Sequence, residues 1–398
     1  MCRRTIAVDK RRTWASNLTP REVTVRIVLK SFLAALSFGV VASSASAQAI
    51  PGTCDEGVFN SGARWKTCVP LAGWNGSLIV FAHGYVFDVP ETGLDFHDTL
   101  PDGTSLATLT QGLGFAFATT SYRQNGLAIL EGVDDIRETV AQFKSLHGEP
   151  AHTYMAGASE GGLVATLLAE RSPELFTGAY ALCGPIGSFR EQVNYVGDFR
   201  VLFDYFFPGV FFGTAVDITP ADVQLWLAGI TPAVIAARLQ AEPGKALELM
   251  RTARAAFDPA NLTSIGQTTL TVLRYNILGF DDAVDKLGGQ PFDNRLRLYL
   301  GSSNDLRLNL RVSRFAADAA AVQALRNYNT SGALQIPLVT LHTTADEAVP
   351  FRHELLYLAK VRPTGRGRFV PLPVARYGHC NLTTQEILTG LGLLLAQR

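Results

Sequence analysis

The stretch YMAGASEGGLVATLLAERSP, residues 154–173, decides the fold of this chain. It reads as a short strand, HTYMAGA, that enters the turn Gly157-Ala158-Ser159-Glu160-Gly161 and leaves it as an apolar helix stopping at Ser172-Pro173. Gly157 and Gly161 let the backbone bend sharply with Ser159 at the tip. A serine on such a strand–turn–helix bend presents its hydroxyl as a nucleophile, and the helix N-terminus just beyond it favours developing negative charge. A plain tight turn would use the same five residues. Deciding between the two requires a base, an acid and an oxyanion site elsewhere in the chain.

Outward from the turn, strand-like and helix-like segments alternate. SLIVFAH (77–83), FAFATTSY (115–122) and GAYALCG (178–184) are apolar runs of strand length, and IPLVTLHT and FVPLPVA repeat the pattern near the end. Val133, Ile136, Val140 and Phe143 recur on one face of a predicted helix. Thr383 and Glu386 stand in capping-box spacing before a last helix that carries Ile387, Leu391 and Leu394 on one face. Continuous apolar strands alternating with helices predict an α/β fold: a mostly parallel sheet flanked by helices. The pattern breaks over residues 185–334, where ADVQLWLAGI, PAVIAARLQ and KALELMRTARAAF read as helices without strands between them. This predicts a sheet-forming core in two parts, 48–184 and 335–398, around a mostly helical insertion.

In such a sheet, functional loops gather at the carboxyl ends of the strands. VFAHGY ends a strand at His83, and the N–H groups of Gly84-Tyr85 and of Glu160 are candidates for an oxyanion site. His83 itself reads as a structural side chain. LVTLHTTADEAVP puts Asp346 just after a strand, with Glu347 as the second choice for an acid that orients a histidine. RYGHCNLT puts His379 after the last strand, with Gly378 permitting a tight loop. The order Ser159, Asp346, His379, each at a strand end, favours the nucleophile over the plain turn.

These pieces, FAHGY, GASEGG, TTADEAVP and YGHC, resemble the α/β-hydrolase superfamily over roughly residues 64–184 and 335–398. Within it the chain is similar to secreted esterases and lipases, or to prolyl-oligopeptidase-type peptidases, although the stretch before SLIVFAHG has no room for their propeller. The resemblance implies the α/β-hydrolase fold, a lid in the insertion, and a Ser159–His379–Asp346 triad cleaving carboxylic esters through an acyl-enzyme. The alternatives are a peptidase or amidase, and a binding protein on a hydrolase fold. Feruloyl esterases and tannases carry a cysteine directly before the serine, where this chain has Ala158. The resemblance further places the strand end at Cys183 near the histidine loop, which implies a Cys183–Cys380 bridge bracing the base.

The remaining features bound the setting. Arg26 and Lys30, an apolar run over residues 31–42 and Ala45-Ser46-Ala47 read as a bacterial-type secretory signal over residues 1–47, with cleavage after Ala49 as the alternative. The apolar run is too short to span a bilayer, so export to the periplasm or beyond is expected, with no membrane anchor after signal removal. Beyond Cys2, the cysteines are Cys54, Cys68, Cys183 and Cys380, an even number suited to disulfides in an exported protein, and Cys54 and Cys68 are near each other in sequence. Their spacing suggests no zinc site, and Asp95, His97 and Asp98 read as a solvated loop, so no metal or cofactor is expected. The 35 basic and 35 acidic residues cancel, which gives no reason to expect nucleic acid. The expected partner is a small-molecule or lipid-like ester. In the insertion, the phenylalanine-rich VLFDYFFPGVFFG (201–213) suits an acyl or aromatic pocket, a lipid contact, or equally the packing of the insertion onto the core, and the polar PFDNRLRLYLGSSNDLRLN (291–309) is a candidate for substrate contacts. Because the signal is of bacterial type, the five N-x-S/T sequons read as chance.

Overall fold

Leu78, Val80 and Ala82 point to one side of a strand and Ile79 and Phe81 to the other, and all five are buried. A strand covered on both faces needs helices on both faces, and the computed structural model has them. It describes residues 49–90, 92–100, 102–361 and 363–397; the signal expected over residues 1–47 lies outside them. Eight strands form one sheet: β1 (Cys54–Val58), β2 (Arg64–Cys68), β3 (Ser77–Ala82), β4 (Ala116–Thr120), β5 (His152–Ala158), β6 (Gly178–Leu182), β7 (Leu338–Ala345) and β8 (Phe369–Tyr377). Their order is β1-β2-β4-β3-β5-β6-β7-β8, with β3 to β8 parallel and β1 and β2 antiparallel to their neighbours.

One face is covered by α2 (Ile129–His147), α3 (Glu160–Arg171) and α11 (Arg352–Lys360), whose Val133, Ile136, Leu163, Leu167 and Tyr357 join the main core. The other face carries α1 (Leu106–Gly112) and α12 (Thr384–Leu395), which contribute Ala107 and Leu394. The capping box of Thr383 and Glu386 starts α12. At the sheet's far edge, β8 carries Pro371 and Pro373, which lack the N–H that a central strand would need on both sides.

The strand order reverses at β3, which lies between β4 and β5, although the chain visits β4 before β5. Such a reversal opens a crevice beyond the carboxyl ends of the strands. Both the His83-Gly84 loop after β3 and Ser159 after β5 sit there.

Between β6 and β7 come seven α-helices, α4 (Phe189–Phe206), α5 (Pro220–Leu227), α6 (Ile230–Ala241), α7 (Pro243–Ala253), α8 (Ser264–Leu287), α9 (Asp305–Arg311) and α10 (Ala319–Ala324), and a short 3-10 turn over Leu325–Tyr328. α4 to α9 enclose a hydrophobic core of their own. The helix expected to run through Phe257 stops at Ala253, because Arg254 takes a left-handed conformation (φ 52°). Of the readings open to the phenylalanine-rich stretch, the structure shows packing within the insertion itself. Val201, Leu202, Phe203, Phe206 and Phe207 are buried inside the insertion's core, Phe211 lies under the Arg200 guanidinium (3.9 Å), and Phe212 is exposed. The reason is helical phase: α4 spends its pocket-facing stripe two turns earlier, at Phe189, Gln192, Val193 and Val196.

Among the described residues no single helix is long and apolar enough to cross a membrane; α5 and α6 pass that test only as a pair bent by 80°.

Candidate active site

The turn after β5 is built by close backbone approach. A Cβ on Gly157 would stand 2.1 Å from the carbonyl oxygen of Gly161, and one on Gly161 would stand 2.1 Å from that of Ala82. Only glycine lets the turn and the end of β3 pack this tightly. Ser159 takes φ 56°, ψ −120°, a conformation that costs an L-residue energy. Its N–H is anchored on Leu182 O (2.8 Å).

From that position Ser159 Oγ reaches His379 Nε2 at 2.8 Å, and His379 Nδ1 reaches Asp346 Oδ2 at 2.8 Å. Asp346 is buried, and its Oδ1 accepts from the N–H groups of Ala348 (2.9 Å) and Val349 (2.8 Å). Burial alone would raise its pKa, but the neighbouring His379 and His342 rings outweigh it and hold the carboxyl well below the usual range. With Asp346 ionised, Nδ1 of His379 carries the ring proton and Nε2 is free to accept from the serine hydroxyl. Glu347, the second choice as acid, is not bonded to the ring.

Behind Asp346 lies a histidine that the sequence reading passed over. His342 is buried on β7; its Nε2 donates to Val349 O (2.9 Å) and lies 3.4 Å from Asp346, and its Nδ1 faces Glu354 (3.1 Å). Burial works against its charge, yet these partners push its pKa up to about 10.

The loop after β3 lies against Ser159, since a Cβ on Gly84 would be 3.1 Å from Ser159 Cβ. The N–H groups of Tyr85 and Glu160 have no acceptor among the described residues. His83 is buried: its Nδ1 donates to Gly84 O (2.7 Å), its ring stacks on Tyr122 (centroids 4.0 Å apart), and burial lowers its pKa to about 4, so it is neutral. The Glu160 carboxyl is also buried and accepts from Ala128 N–H (2.8 Å); burial pushes its pKa up to about 8, against the pull of that bond and of Lys286.

Two apolar cavities flank the serine. One, about 100 Å³, faces the insertion between Tyr85, Phe189, Val193, Tyr275 and Phe280. The other, about 270 Å³, runs from Gly84, Ala158 and Cys380 down between the sheet and α1 and α12. The wall on α8, with Tyr275, Gly279 and Phe280, escaped the sequence reading. α8 is held in place where Asp282 accepts from Leu127 N–H (2.7 Å) and Lys286 donates to Asn125 O (2.6 Å). The Tyr85 hydroxyl, buried and unpartnered among the described residues, faces Gly279, where any Cβ would stand 2.8 Å away. Of the polar segment 291–309, only Pro291 lines this cavity.

Disulfides join Cys54 to Cys68, across the β1–β2 hairpin, and Cys183 to Cys380. The second ties the end of β6 to the residue after His379, and both of its cysteines hold positive φ (44° and 48°). Among the described residues, the one group with metal-ligand spacing is Cys183, His379 and Cys380, whose two sulfurs are already bonded to each other. Asp98 of the 95–98 loop pairs instead with Lys66 (3.2 Å).

The Cys183–Cys380 bridge spans 197 residues, and a loop of that length constrains the unfolded chain by up to about 5 kcal/mol in the chain-entropy treatment. Cys183→Ser/Cys380→Ser is therefore expected to lower unfolding free energy by about 2–5 kcal/mol in denaturant titration. If His379 serves as a base, the change should also lower kcat more than it raises KM, because that ring loses its brace. Unchanged stability and kcat would show that the bridge supports neither.

The strand order, the reversal at β3 and the helices on both faces are those of the α/β-hydrolase fold. No protein-family model and no curated protein matches the chain. Among solved structures it is similar to an acylaminoacyl peptidase from Pyrococcus horikoshii (12% identity, 83% of this chain and 38% of that one, TM-score 0.42). It is also similar to lipase A of Candida antarctica in its closed state (15%, 86% and 75%, 0.45) and to an esterase from Aspergillus oryzae (15%, 81% and 71%, 0.44). The chain spans under two-fifths of the peptidase's length.

Proposed function

We propose that this protein is an exported serine hydrolase that cleaves carboxylic esters with hydrophobic groups on either side of the scissile bond. The observation that carries the proposal is the unbroken hydrogen-bonded line from Ser159 Oγ through both nitrogens of His379 to a buried, ionised Asp346. In the reaction, His379 Nε2 takes the hydroxyl proton as Ser159 Oγ bonds to the ester carbonyl carbon. The carbonyl oxygen becomes an oxyanion received by the N–H groups of Tyr85 and Glu160. His379 then passes its proton to the departing alkoxide, which leaves as the alcohol, and an acyl-Ser159 remains. Water, deprotonated by the same nitrogen, releases the acid and restores the serine. Asp346 holds the ring in the required tautomer throughout and stabilises the imidazolium. The apolar linings of the two cavities support hydrophobic acyl and alcohol groups, and the helical insertion that walls one of them acts as a lid. The two disulfides support export to an oxidising compartment.

The test is labelling by a fluorophosphonate followed by a panel of p-nitrophenyl esters of increasing chain length and of peptide p-nitroanilides. The expected result is a label on Ser159 and turnover of esters in preference to anilides. Faster turnover of anilides would make the protein a peptidase or amidase, and absence of the label would leave a binding protein on a hydrolase fold.

Glu160 adds a pH dependence. Its carboxyl is neutral below about pH 8 and ionises above. Because its pKa is raised by folding, ionisation disfavours the folded state as pH climbs from the unfolded value toward 8. The same charge, next to the developing oxyanion, opposes the reaction. The kcat/KM profile is expected to fall above about pH 8, and Glu160→Gln to move that descending limb upward. A limb that stays in place in the variant would assign it to another group.

A further inference from the structure

The insertion displays an unusual surface. Leu296 (97% exposed), Leu298 (73%), Leu300 (58%), Leu306 (75%) and Leu310 (73%) all project into solvent within fifteen residues. Large apolar side chains in such density on a surface mark an interaction site. They are not on a slack loop. Tyr299 is buried between Leu298 and Leu300, and its hydroxyl donates to Asp198 on α4 (2.7 Å). Asn309 ties the two halves of the segment, accepting from Tyr299 N–H (3.0 Å) and donating to Tyr299 O (2.7 Å). Arg314 donates to Asn294 O (2.8 Å) and Arg297 O (2.6 Å) from beneath. In α9, Leu308 is buried while Leu306 and Leu310, one turn apart, face out. The fold thus spends hydrogen bonds on holding five leucines outward.

The charges around them decide what they meet. Residues 291–314 contain five arginines and two aspartates. Asp293 is paired with Arg295 (2.8 Å), and Asp305 accepts from Ser302 N–H (2.8 Å). The guanidinium groups of Arg307 and Arg311 have no acceptor among the described residues, which leaves a net positive face in a chain of zero net charge. Leucines interleaved with arginines suit a lipid surface, where apolar chains enter the acyl boundary and guanidinium groups stay at the level of the phosphates. A protein partner would favour aromatic anchors, and this face exposes none among its five apolar residues.

We propose that residues 295–311 form a docking arm for an anionic lipid surface, with Leu296, Leu298, Leu300, Leu306 and Leu310 entering it and Arg307 and Arg311 meeting its headgroups. The arm is continuous with the candidate active site, since Pro291, a few residues upstream, lines the cavity beside Ser159.

The experiment is co-sedimentation of the full-length mature protein, carrying Ser159→Ala so that nothing is turned over, with vesicles of phosphatidylcholine alone and of phosphatidylcholine mixed with phosphatidylglycerol. The binding readout does not depend on whether Ser159 is a nucleophile. Binding is expected to the mixed vesicles, weakening with added salt. Leu296→Ser/Leu298→Ser/Leu300→Ser should weaken it by about ten-fold or more, and Arg307→Gln/Arg311→Gln should remove the preference for the anionic lipid. Because the replaced side chains are exposed, thermal midpoints and, in the Ser159 background, turnover of a short soluble ester should not change. Failure of the parent protein to bind either vesicle, or binding unaffected by both sets of substitutions, overturns the proposal. A concentration-dependent dimer in analytical ultracentrifugation that the leucine variant abolishes would also overturn it, assigning the face to a second copy of the chain.

Discussion

Ser159→Ala is expected to lower turnover of p-nitrophenyl esters by about 10⁵–10⁶-fold, the scale on which removal of a triad nucleophile acts. The hydroxyl is the only part of the side chain that takes part: Oγ has His379 Nε2 as its partner, and the strained backbone at residue 159 is set by Gly157, Gly161 and the bond to Leu182 O. Alanine keeps that backbone and leaves the N–H groups of Tyr85 and Glu160 in place. Folding should therefore be retained, with a thermal midpoint close to that of the parent, and the residual rate should reflect binding and the oxyanion site alone. A variant keeping more than about one part in a hundred of the parent rate would be incompatible with nucleophilic catalysis by this residue.

Asp346→Asn should lower kcat by about 10⁴-fold for a different reason. The N–H groups of Ala348 and Val349 both point at Oδ1, so an asparagine must put its oxygen there and turn its NH2 toward His379. Nδ1 then becomes the acceptor, the ring proton moves to Nε2, and Nε2 can no longer take a proton from Ser159. The same NH2 faces the N–H of His342, 3.4 Å from the other side. His342, buried and carrying a pKa raised to about 10, loses one of its charged partners. The expected further cost is about 3 kcal/mol of stability, as when a buried ion pair is broken from one side. A raised histidine pKa gives stability that is complete below its unfolded value and is lost as pH rises toward 10, so the gap between parent and variant should be widest at neutral and lower pH and narrow in alkali. Denaturant titrations at three pH values check this; a constant gap would mean that His342 is neutral.

Much of the site was legible because Ser159, Asp346 and His379 each come within a few residues of the end of a strand-length segment built on apolar residues. The parallel part of the sheet was readable for the same reason. The β1–β2 hairpin was not, because β1 is an exposed edge strand and CDEGV carries no apolar alternation. α8 was missed because its apolar residues serve two surroundings: Val272, Leu273 and Ile277 pack in the insertion's core, and Gly279, Phe280 and Ala283 turn toward the cavity beside Ser159. The phenylalanines of residues 201–213 left core and pocket equally open because aromatic density marks either one. His342 gave no signal at all, since its role depends on Glu354, Val349 and Asp346 meeting it in space.

The prolines of β8 have a consequence for how this protein behaves in a crowd. Pro371 and Pro373 are two residues apart, so the N–H groups they lack would have pointed the same way, away from β7. The open margin of the sheet therefore offers an incoming strand too few donors to zip onto. A chain that folds among copies of itself carries, at that margin, its own safeguard against growing into an aggregate.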